Sequence, residues 1–271
     1  MTFGAALLLA GLGILVGGFG TLIGAGGGFI LVPVLLLIYP GIKPELITSI
    51  SLAVVFLNAL SGTIAYAKMK RIDYRSAFVF AAATLPGSVI GAFSTTYIPR
   101  HIFDIILGIL LMIISLYLLI RPGQKAYVVL KKDPGHTERA LIERNGQEHH
   151  YSFNMMTGIV LSFFVGFLSS VLGIGGGIIH VPALTVLLNF PVHIATATSH
   201  FILAFMALAG TIVHIIQGNF KTGWLTTILI GTGVVIGAQY GARLSDKIKA
   251  QWIIRALALA LLVVGIRLFF L

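Results

Sequence analysis

The chain has 271 residues, of which 58% are hydrophobic and only 10% are charged, and its mean hydropathy is +1.03. A soluble domain of this size needs a polar surface that this composition does not supply, so the sequence predicts a membrane protein. The formal net charge is +10. Basic loops between membrane segments explain such a charge, and nucleic acid is not an expected partner. Because there is no cysteine, disulfides, thiolate catalysis and cysteine-ligated metal sites are excluded.

Apolar runs recur along most of the chain and predict an all-α polytopic membrane protein. Ten apolar segments can be marked, at 5–23, 27–39, 46–67, 76–97, 102–120, 153–172, 176–189, 195–217, 223–242 and 251–270. The second and seventh contain only 13 and 14 residues, about 10 Å short of a ~30 Å hydrocarbon core. The first run follows no basic residue and precedes no small-residue cleavage pattern, so we expect a retained span rather than a signal peptide.

Two glycine runs interrupt this apolar pattern and lie 149 residues apart, at Gly24–Gly28 and Gly173–Gly177. Each run is followed five residues later by a proline, Pro33 and Pro182. Broken helices persist in lipid only where the freed backbone is buried in protein or lines a cavity. A break repeated in two halves of a membrane protein therefore points to a transport site.

The two halves of the chain match beyond the glycine runs. Ser51 corresponds to Ser199 and Gly62 to Gly210, both at an offset of 148 residues. Each half contains five segments, and an odd number of spans inverts the second half relative to the first, as in many secondary transporters. The sequence thus predicts two inverted five-segment repeats with short helices broken by glycine. The predicted parts are a first transmembrane repeat at 1–121, a cytoplasmic polar linker at 122–152 and a second, inverted repeat at 153–271.

Lysine and arginine are unevenly distributed between the loops. If all ten segments cross the membrane, the loops on one side hold 14 of the 18 basic residues: Lys68, Lys70, Arg71, Arg75, Arg121, Lys125, Lys131, Lys132, Arg139, Arg144, Arg243, Lys247, Lys249 and Arg255. If the two short segments instead returned to their own side, the split would be 12 to 6. The positive-inside rule favours the first arrangement, with both termini outside and a solvated linker in the cytoplasm.

The glycine runs and the segments that follow them carry a resemblance to a known family. Two of the motifs contain the glycine runs: Gly-Ala-Gly-Gly-Gly-Phe…Val-Pro at 24–33 and Gly-Ile-Gly-Gly-Gly…Val-Pro at 173–182. The other two are the serine-bearing stretches Thr48–Leu52 and Ala197–Phe201. Together they resemble the sulfite exporter TauE/SafE family of bacterial and archaeal permeases, over roughly 5–120 and 153–271. The resemblance implies a carrier for small sulfur oxyanions, organosulfonates or related organic anions in the cytoplasmic (inner) membrane. It does not fix one substrate.

The glycine runs are also the first candidates for a binding site. Glycine allows backbone dihedrals that are closed to other residues, and a helix that restarts behind it presents unpaired N–H groups and the positive end of its dipole. This arrangement can bind an anion without a basic side chain. We expect both helix starts to face one ligand, which would contact Gly26, Gly27, Gly28, Gly175, Gly176 and Gly177. The alternative is that the runs only permit tight helix packing. This is the role expected for Gly11, Gly13, Gly17, Gly18 and Gly20.

Five polar side chains within the apolar segments complete the predicted substrate site: Ser51, Asn58, Ser199, His200 and Gln239. Hydroxyl groups can donate to sulfonate oxygens, although serine in a membrane helix commonly bonds to its own i−4 carbonyl. His200 lies beside Ser199, is expected to face a cavity between the halves rather than lipid, and could carry a coupling proton. The alternative for His200 is a plain hydrogen bond between helices.

The acidic residues narrow the function classes. Asp104 is the only acid clearly within an apolar segment, which disfavours sodium coupling through buried carboxylates. No nucleophile with a base, paired acids or metal motif suggests an enzyme, and no cofactor or metal is expected. The sequence predicts a secondary transporter, an exporter, for a small sulfur-containing anion such as sulfite or an organosulfonate. The alternatives are a channel or carrier for another small anion, or an accessory membrane subunit. The oligomeric state is not fixed, and a homodimer stays open.

Overall fold

The computed structural model describes residues 3–39, 41–120, 135–220, 223–245, 258–259, 261–263 and 265–268. In this part of the chain nine α-helices alternate with short turns: α1 Phe3–Ile23, α2 Gly28–Ile38, α3 Pro44–Lys68, α4 Tyr74–Ser94, α5 Arg100–Ile120, α6 Met155–Leu172, α7 Gly177–Val186, α8 Val192–Ile216 and α9 Trp224–Leu244. A single turn of 3₁₀ helix follows α4 at Thr95–Tyr97. Two strands, β1 His136–Ile142 and β2 Glu148–Asn154, lie between α5 and α6.

Seven of the described helices are long and apolar enough to cross a membrane. The other two, α2 and α7, have 11 and 10 residues and begin directly after the glycine runs. Both short helices were predicted, at nearly these bounds. The predicted tenth segment, 251–270, lies largely outside the described residues. Its described parts are helical, and the Ser115 hydroxyl of α5 donates to the carbonyl of Ala258 there at 2.5 Å.

Local sequence explains where several helices begin. Pro44 occupies the first turn of α3, where its missing N–H leaves no hydrogen bond unmade. The Asp73 side chain accepts from the N–H of Ser76 at the start of α4. Asn154 caps α6 in the same way through the N–H of Thr157. These caps satisfy N–H groups that a helix start otherwise leaves unpaired.

The helices pack in pairs that join the two halves of the chain. The most extensive contacts are α1 with α9, α4 with α6, and α3 with α8. Each helix of the first half has a counterpart five places further along the chain, so α1 corresponds to α6, α4 to α9 and α3 to α8. The α1–α9 contact of one half therefore corresponds to the α6–α4 contact of the other, and the α3–α8 contact corresponds to itself. The central helices α3 and α8 are the most buried of the seven long ones, whereas α1 exposes large apolar side chains such as Leu7, Leu8 and Leu15.

Glycine allows the helices in two of these pairs to touch through their backbones. A Cβ added to Gly17 of α1 would collide with the backbone of Val234 in α9. In the same way, a Cβ added to Gly91 of α4 would collide with the backbone of Phe167 in α6. Small residues at such contacts are the usual basis of close helix packing in membranes. The predicted packing role of Gly17, and of Gly13 one turn earlier, is confirmed. The same prediction for Gly11 is wrong, because nothing lies within 4 Å of its added Cβ.

Part of the predicted linker is a β-hairpin packed on the helices. β1 and β2 pair antiparallel, and Tyr151 and Phe153 in β2 are buried. The rings of both contact Phe190, which precedes α8, with centroids 4.6 and 4.9 Å apart. The expectation of a solvated linker at 122–152 is therefore wrong for Tyr151, which is buried. Phe153 lies in the predicted second repeat, and the two rings form one apolar face of β2. Residues 121–134 lie outside the described part of the chain.

A buried ion pair ties the hairpin to the turn between α3 and α4. The Nε of Arg71 lies 2.7 Å from a carboxylate oxygen of Glu143, and both side chains are less than a tenth exposed. The other oxygen of Glu143 lies 2.9 Å from Nε2 of His149. The backbone N–H of Arg144 donates to the carbonyl of Met69 at 3.0 Å. The hairpin thus has polar as well as aromatic contacts with the helical core.

Asp73 connects the hairpin to α4 and to α8. Besides capping α4, its carboxylate accepts from the Tyr151 hydroxyl at 2.9 Å, and its backbone N–H donates to the Thr198 hydroxyl at 3.2 Å. Burial, and then the nearby Asp73 carboxylate, raise the pKa of the Tyr151 phenol above its usual value of 10.0. The contribution of this shift to stability is therefore fully present below about pH 10 and is lost at higher pH.

Candidate functional site

The two glycine runs form tight loops between consecutive helices. In the first loop Gly24, Gly26 and Gly27 have φ values of 84°, 74° and 83°, and in the second Gly173 and Gly175 have 67° and 69°. These positive values are readily adopted only by glycine, which explains the residue type. Gly176 departs from its counterpart Gly27, since its φ is −54°. Similar sequences therefore give related but unequal loops.

The two loops contact each other through their backbones. A Cβ added to Gly28 would lie 2.6 Å from the carbonyl oxygen of Gly173 and 2.6 Å from the carbonyl carbon of Ile174. A Cβ added to Gly177 would collide with the carbonyl of Gly24 in the first loop. Gly28 and Gly177 occupy equivalent positions, 149 residues apart. The starts of α2 and α7 therefore meet directly in the interior of the protein.

Ser51 and Ser199 each bond to the loop of the opposite half. The Ser51 hydroxyl donates to the carbonyl of Gly173 at 2.5 Å, and the Ser199 hydroxyl donates to the carbonyl of Gly24 at 3.2 Å. Both serines are fully buried. The hydroxyl protons of this pair thus hold the two loops in place in this conformation, and neither serine bonds to its own i−4 carbonyl.

The first N–H groups of α2 and α7 lack an acceptor in the part of the chain that the structure describes. Within the described residues, the backbone N–H groups of Gly28 and Phe29 in α2 donate to no acceptor, and the same holds for Gly177 and Ile178 in α7. All four residues are buried. Buried N–H groups without partners are rare and costly, so these two helix starts are places where an acceptor would be stabilised.

Asn58 lies beside the first loop. Its side-chain oxygen accepts from the Thr21 hydroxyl at 2.6 Å, while its Nδ2 has no partner within the described chain. Asn58 is fully buried. A Cβ added to Gly27 would lie 3.4 Å from that Nδ2. The amide therefore places an unused donor next to the start of α2.

His200 of α8 is fully buried against α3 of the other half rather than exposed to lipid. Its Nδ1 lies 3.3 Å from the carbonyl of Thr196, and its ring meets Tyr66 of α3 edge-on with centroids 5.5 Å apart. A Cβ added to Gly62 of α3 would collide with the imidazole ring. The Nε2 atom has no partner within the described residues.

Gln239 is placed differently from the other predicted site residues. Its Nε2 donates to the carbonyl and to the hydroxyl of Ser61, at 2.8 and 2.9 Å. These bonds join α9 to α3 and use the amide protons for helix packing. The structure thus places Gln239 at the α3–α9 contact, and it records no contact of Gln239 with either glycine loop.

The chain is similar to known membrane transporters. The sequence pattern of the family described as sulfite exporter TauE/SafE matches residues 9–268. The chain belongs to the TauE/SafE family. It is 33% identical over 251 residues to the probable membrane transporter protein YunE of Bacillus subtilis. The matched region covers 90% of this chain and 90% of YunE. It is also 26% identical to the probable membrane transporter protein YdhB of the same organism, over 90% of this chain and 92% of YdhB.

A further relative comes from Methanocaldococcus jannaschii, a probable membrane transporter protein that is 24% identical over 83% of this chain and 81% of its own. No solved structure matches the chain. The family and these relatives establish a membrane transporter rather than an enzyme. With seven apolar helices, this TauE/SafE protein is a multi-pass membrane protein, and the cytoplasmic (inner) membrane fits the family.

Sequence reasoning missed Ser169 as a residue next to a glycine loop of this TauE/SafE chain. Its hydroxyl lies 2.8 Å from the position of a Cβ added to Gly176, and it has no partner within the described residues. Ser169 is fully buried. A signal was present, because the Ser169-Ser170 pair interrupts the apolar segment 153–172 and Ser169 lies four residues before the second glycine run.

Proposed function

We propose that this protein is a secondary transporter that exports a small sulfur-containing anion, such as sulfite or an organosulfonate. The observation that carries the proposal is the pair of buried helix starts whose N–H groups have no acceptor within the described residues. An oxyanion supplies acceptors, and the helix dipole favours negative charge at this end. The family description, sulfite exporter, supports sulfur among the candidate anions.

The proposed site lies at the glycine loops. Its proposed backbone donors are the N–H groups of Gly27, Gly28 and Gly175–Gly177, and Asn58 is the neighbouring side chain. The N–H of Gly26 donates to the carbonyl of Gly20 at 3.2 Å in this conformation. His200 contacts Tyr66 and Gly62 and is proposed to join the site when the loops separate. Ser51 and Ser199 join this site when the loops separate and their hydroxyls leave the carbonyls of Gly173 and Gly24. Separation of the loops is also the motion that alternating access between two repeats requires. The role of Gln239 in this proposal is structural, through Ser61.

The halves are proposed to be inverted repeats with the β-hairpin in the cytoplasm. The exchange of α1–α9 and α4–α6 packing supports two related halves, and the loop charges support the orientation. The chain has no cysteine, so single cysteines at the exposed positions Gln147 and Gly41 report on one side each. In intact cells an impermeant thiol reagent is expected to label Gly41→Cys and to spare Gln147→Cys. The opposite pattern would contradict the orientation.

Two driving forces fit an anion exporter. An inside-negative membrane potential favours exit of an anion by about 2.3 kcal/mol per charge per 100 mV, so no coupled ion is required. Proton coupling through His200 is the second possibility, since imidazole can take up a proton while it donates to an anion. Nε2 of His200 has no partner among the described residues, which supports a role beyond packing.

Flux into proteoliposomes tests the function and the coupling together. We expect saturable movement of sulfite or methanesulfonate, faster with an imposed potential, and little movement of the cation choline. If a proton is coupled, a pH gradient alone drives flux in the wild type and not in His200→Gln. Equal pH dependence in both proteins removes His200 from the mechanism.

The same experiment separates the alternatives. Flux that rises linearly with concentration and never saturates would indicate a channel. Saturable flux of acetate but not of the sulfur anions would indicate a carrier for another anion. Absence of flux for every anion, in protein that remains folded, would contradict the proposal and favour an accessory subunit.

A further inference from the structure

The β-hairpin contacts both halves of the chain at one end of the molecule. It is continuous with the second half, because β2 runs into α6 without an intervening residue. The rings of Tyr151 and Phe153 pack on Phe190, in the loop between α7 and α8. In the same loop the side-chain amide of Asn189 donates to the carbonyl of Ser152 at 3.4 Å. The hairpin is thus attached to the second half both covalently and through packing.

Polar contacts join the hairpin to the first half, at the turn between α3 and α4. The side chain of Arg139 lies 3.6 Å from the carboxylate of Asp73, and the Tyr151 hydroxyl donates to that carboxylate at 2.9 Å. The Arg71–Glu143 ion pair lies at the same turn. Removing one partner of a buried ion pair leaves an unpaired charge, whereas separating the two lets water return to both and costs much less. These contacts can therefore open as a unit.

The turn that the hairpin holds also contacts the helix beside the proposed binding site. The backbone N–H of Asp73 donates to the hydroxyl of Thr198 in α8 at 3.2 Å. Thr198 directly precedes Ser199, whose hydroxyl donates to the carbonyl of Gly24 in the first glycine loop at 3.2 Å. Both α8 residues are fully buried. A movement of the turn away from the hairpin and α8 thus changes contacts next to the glycine loop.

The other end of the molecule carries an open cavity. α3 has 25 residues, so its first turn lies about 35 Å from the turn that the hairpin holds. There the loop before α3 and the residues after α4 line a cavity of about 360 Å³ that opens to the surface, with Gly41, Lys43, Tyr97 and Arg100 among its lining residues. The two ends therefore differ: the hairpin spans both halves at one, and a cavity lies at the other.

We propose that the β-hairpin is the gate of the transporter on its own side of the membrane. Carried by α6, it closes on the α3–α4 turn and leaves this turn when an anion passes between that side and the glycine loops. The proposal rests on the proposed function. A carrier of two repeats exposes its site to one side at a time, so a segment that joins both halves at one end holds that end shut. With the proposed orientation, the gate opens for loading from the cytoplasm.

A reversible cross-link between the hairpin and the turn tests the gate. The chain has no cysteine. The N–H of Arg144 donates to the carbonyl of Met69 at 3.0 Å, and a backbone bond of this kind places the two Cα atoms about 5–6 Å apart, within disulfide range. We expect oxidation of the Met69→Cys, Arg144→Cys double variant to lower saturable anion flux in proteoliposomes at least about tenfold, because the cross-link removes one of the two states. Reductant is expected to restore the flux.

The matched control is the double variant Ala140→Cys with His150→Cys. These residues lie directly opposite each other in the hairpin, and both are exposed. Their disulfide ties the hairpin only to itself, so oxidation should leave the flux of this variant at the wild-type rate.

Each outcome decides between specific statements. Wild-type flux in the oxidised Met69–Arg144 pair contradicts the gate and leaves the proposed function standing, and equal losses in the control pair also contradict the gate. Wild-type protein that moves no anion contradicts the proposed function and the gate together. If the first pair does not fold or does not cross-link, Ser76→Cys with Arg139→Cys replaces it, since the Ser76 hydroxyl lies 3.4 Å from Nε of Arg139. Joined by a reducible bifunctional thiol reagent, this pair must show the same reversible loss for the gate to hold.

Discussion

Replacing Glu143 with alanine is expected to lower the free energy of unfolding by about 3–5 kcal/mol, because it breaks a buried ion pair from one side. Arg71 would lose the carboxylate that lies 2.7 Å from its Nε. His149 would lose its contact with the other oxygen of Glu143 at 2.9 Å. The measurement is thermal unfolding of the purified protein in detergent.

Two controls separate this ion pair from a general effect of charge on the hairpin. Glu148 lies in the same hairpin but is 62% exposed, so Glu148→Ala should change stability by about 0.5 kcal/mol or less. The double variant Arg71→Glu with Glu143→Arg should recover part of the loss that either change causes alone. A Glu143→Ala protein as stable as Glu148→Ala would show that the hairpin is not held by this pair.

The sequence predicted the helices well because the signals for them are local. Long apolar runs mark the spans, and the glycine runs end one helix and begin the next, so α2 and α7 fall within a few residues of the predicted bounds. The hairpin was not predicted because the segment is polar in overall composition, and the alternation of polar and apolar residues in β2 was not recognised. The contacts that hold Tyr151 and Phe153 against Phe190 join positions almost 40 residues apart, and no local pattern reveals them.

The sequence predicted which residue types form the candidate site, but it did not predict which atoms they contact. The equivalence of Ser51 and Ser199 was readable from their offset. That each hydroxyl bonds to the glycine loop of the opposite half depends on how the halves meet. Gly27 and Gly176 occupy matching positions, yet their φ values of 83° and −54° differ. Valine at Gly27 would be strained by its dihedral, whereas at Gly176 the three atoms nearest to its Cβ belong to side chains.

Because the two glycine loops are in contact, Gly28→Ala and Gly177→Ala are both expected to destabilise the protein. In each case the new methyl group would meet backbone atoms of the opposite loop: Gly173 and Ile174 for the first change, Gly24 and Ala25 for the second. Backbone in a packed interior cannot turn aside as a side chain can, so overpacking should cost about 1–3 kcal/mol. Melting temperatures of the purified variants measure this loss.

Gly11→Ala in α1 is the matched control for these two changes, because nothing lies within 4 Å of its added Cβ. There alanine should leave stability unchanged or raise it, by up to about 1 kcal/mol, since glycine is the poorer helix former. The equivalence of Gly28 and Gly177 makes the test stricter, since both variants must lose stability by similar amounts. If both variants have the same melting temperature as Gly11→Ala, the two loops are not in contact. In that case neither packing nor anion binding at a shared interface explains the two glycine runs.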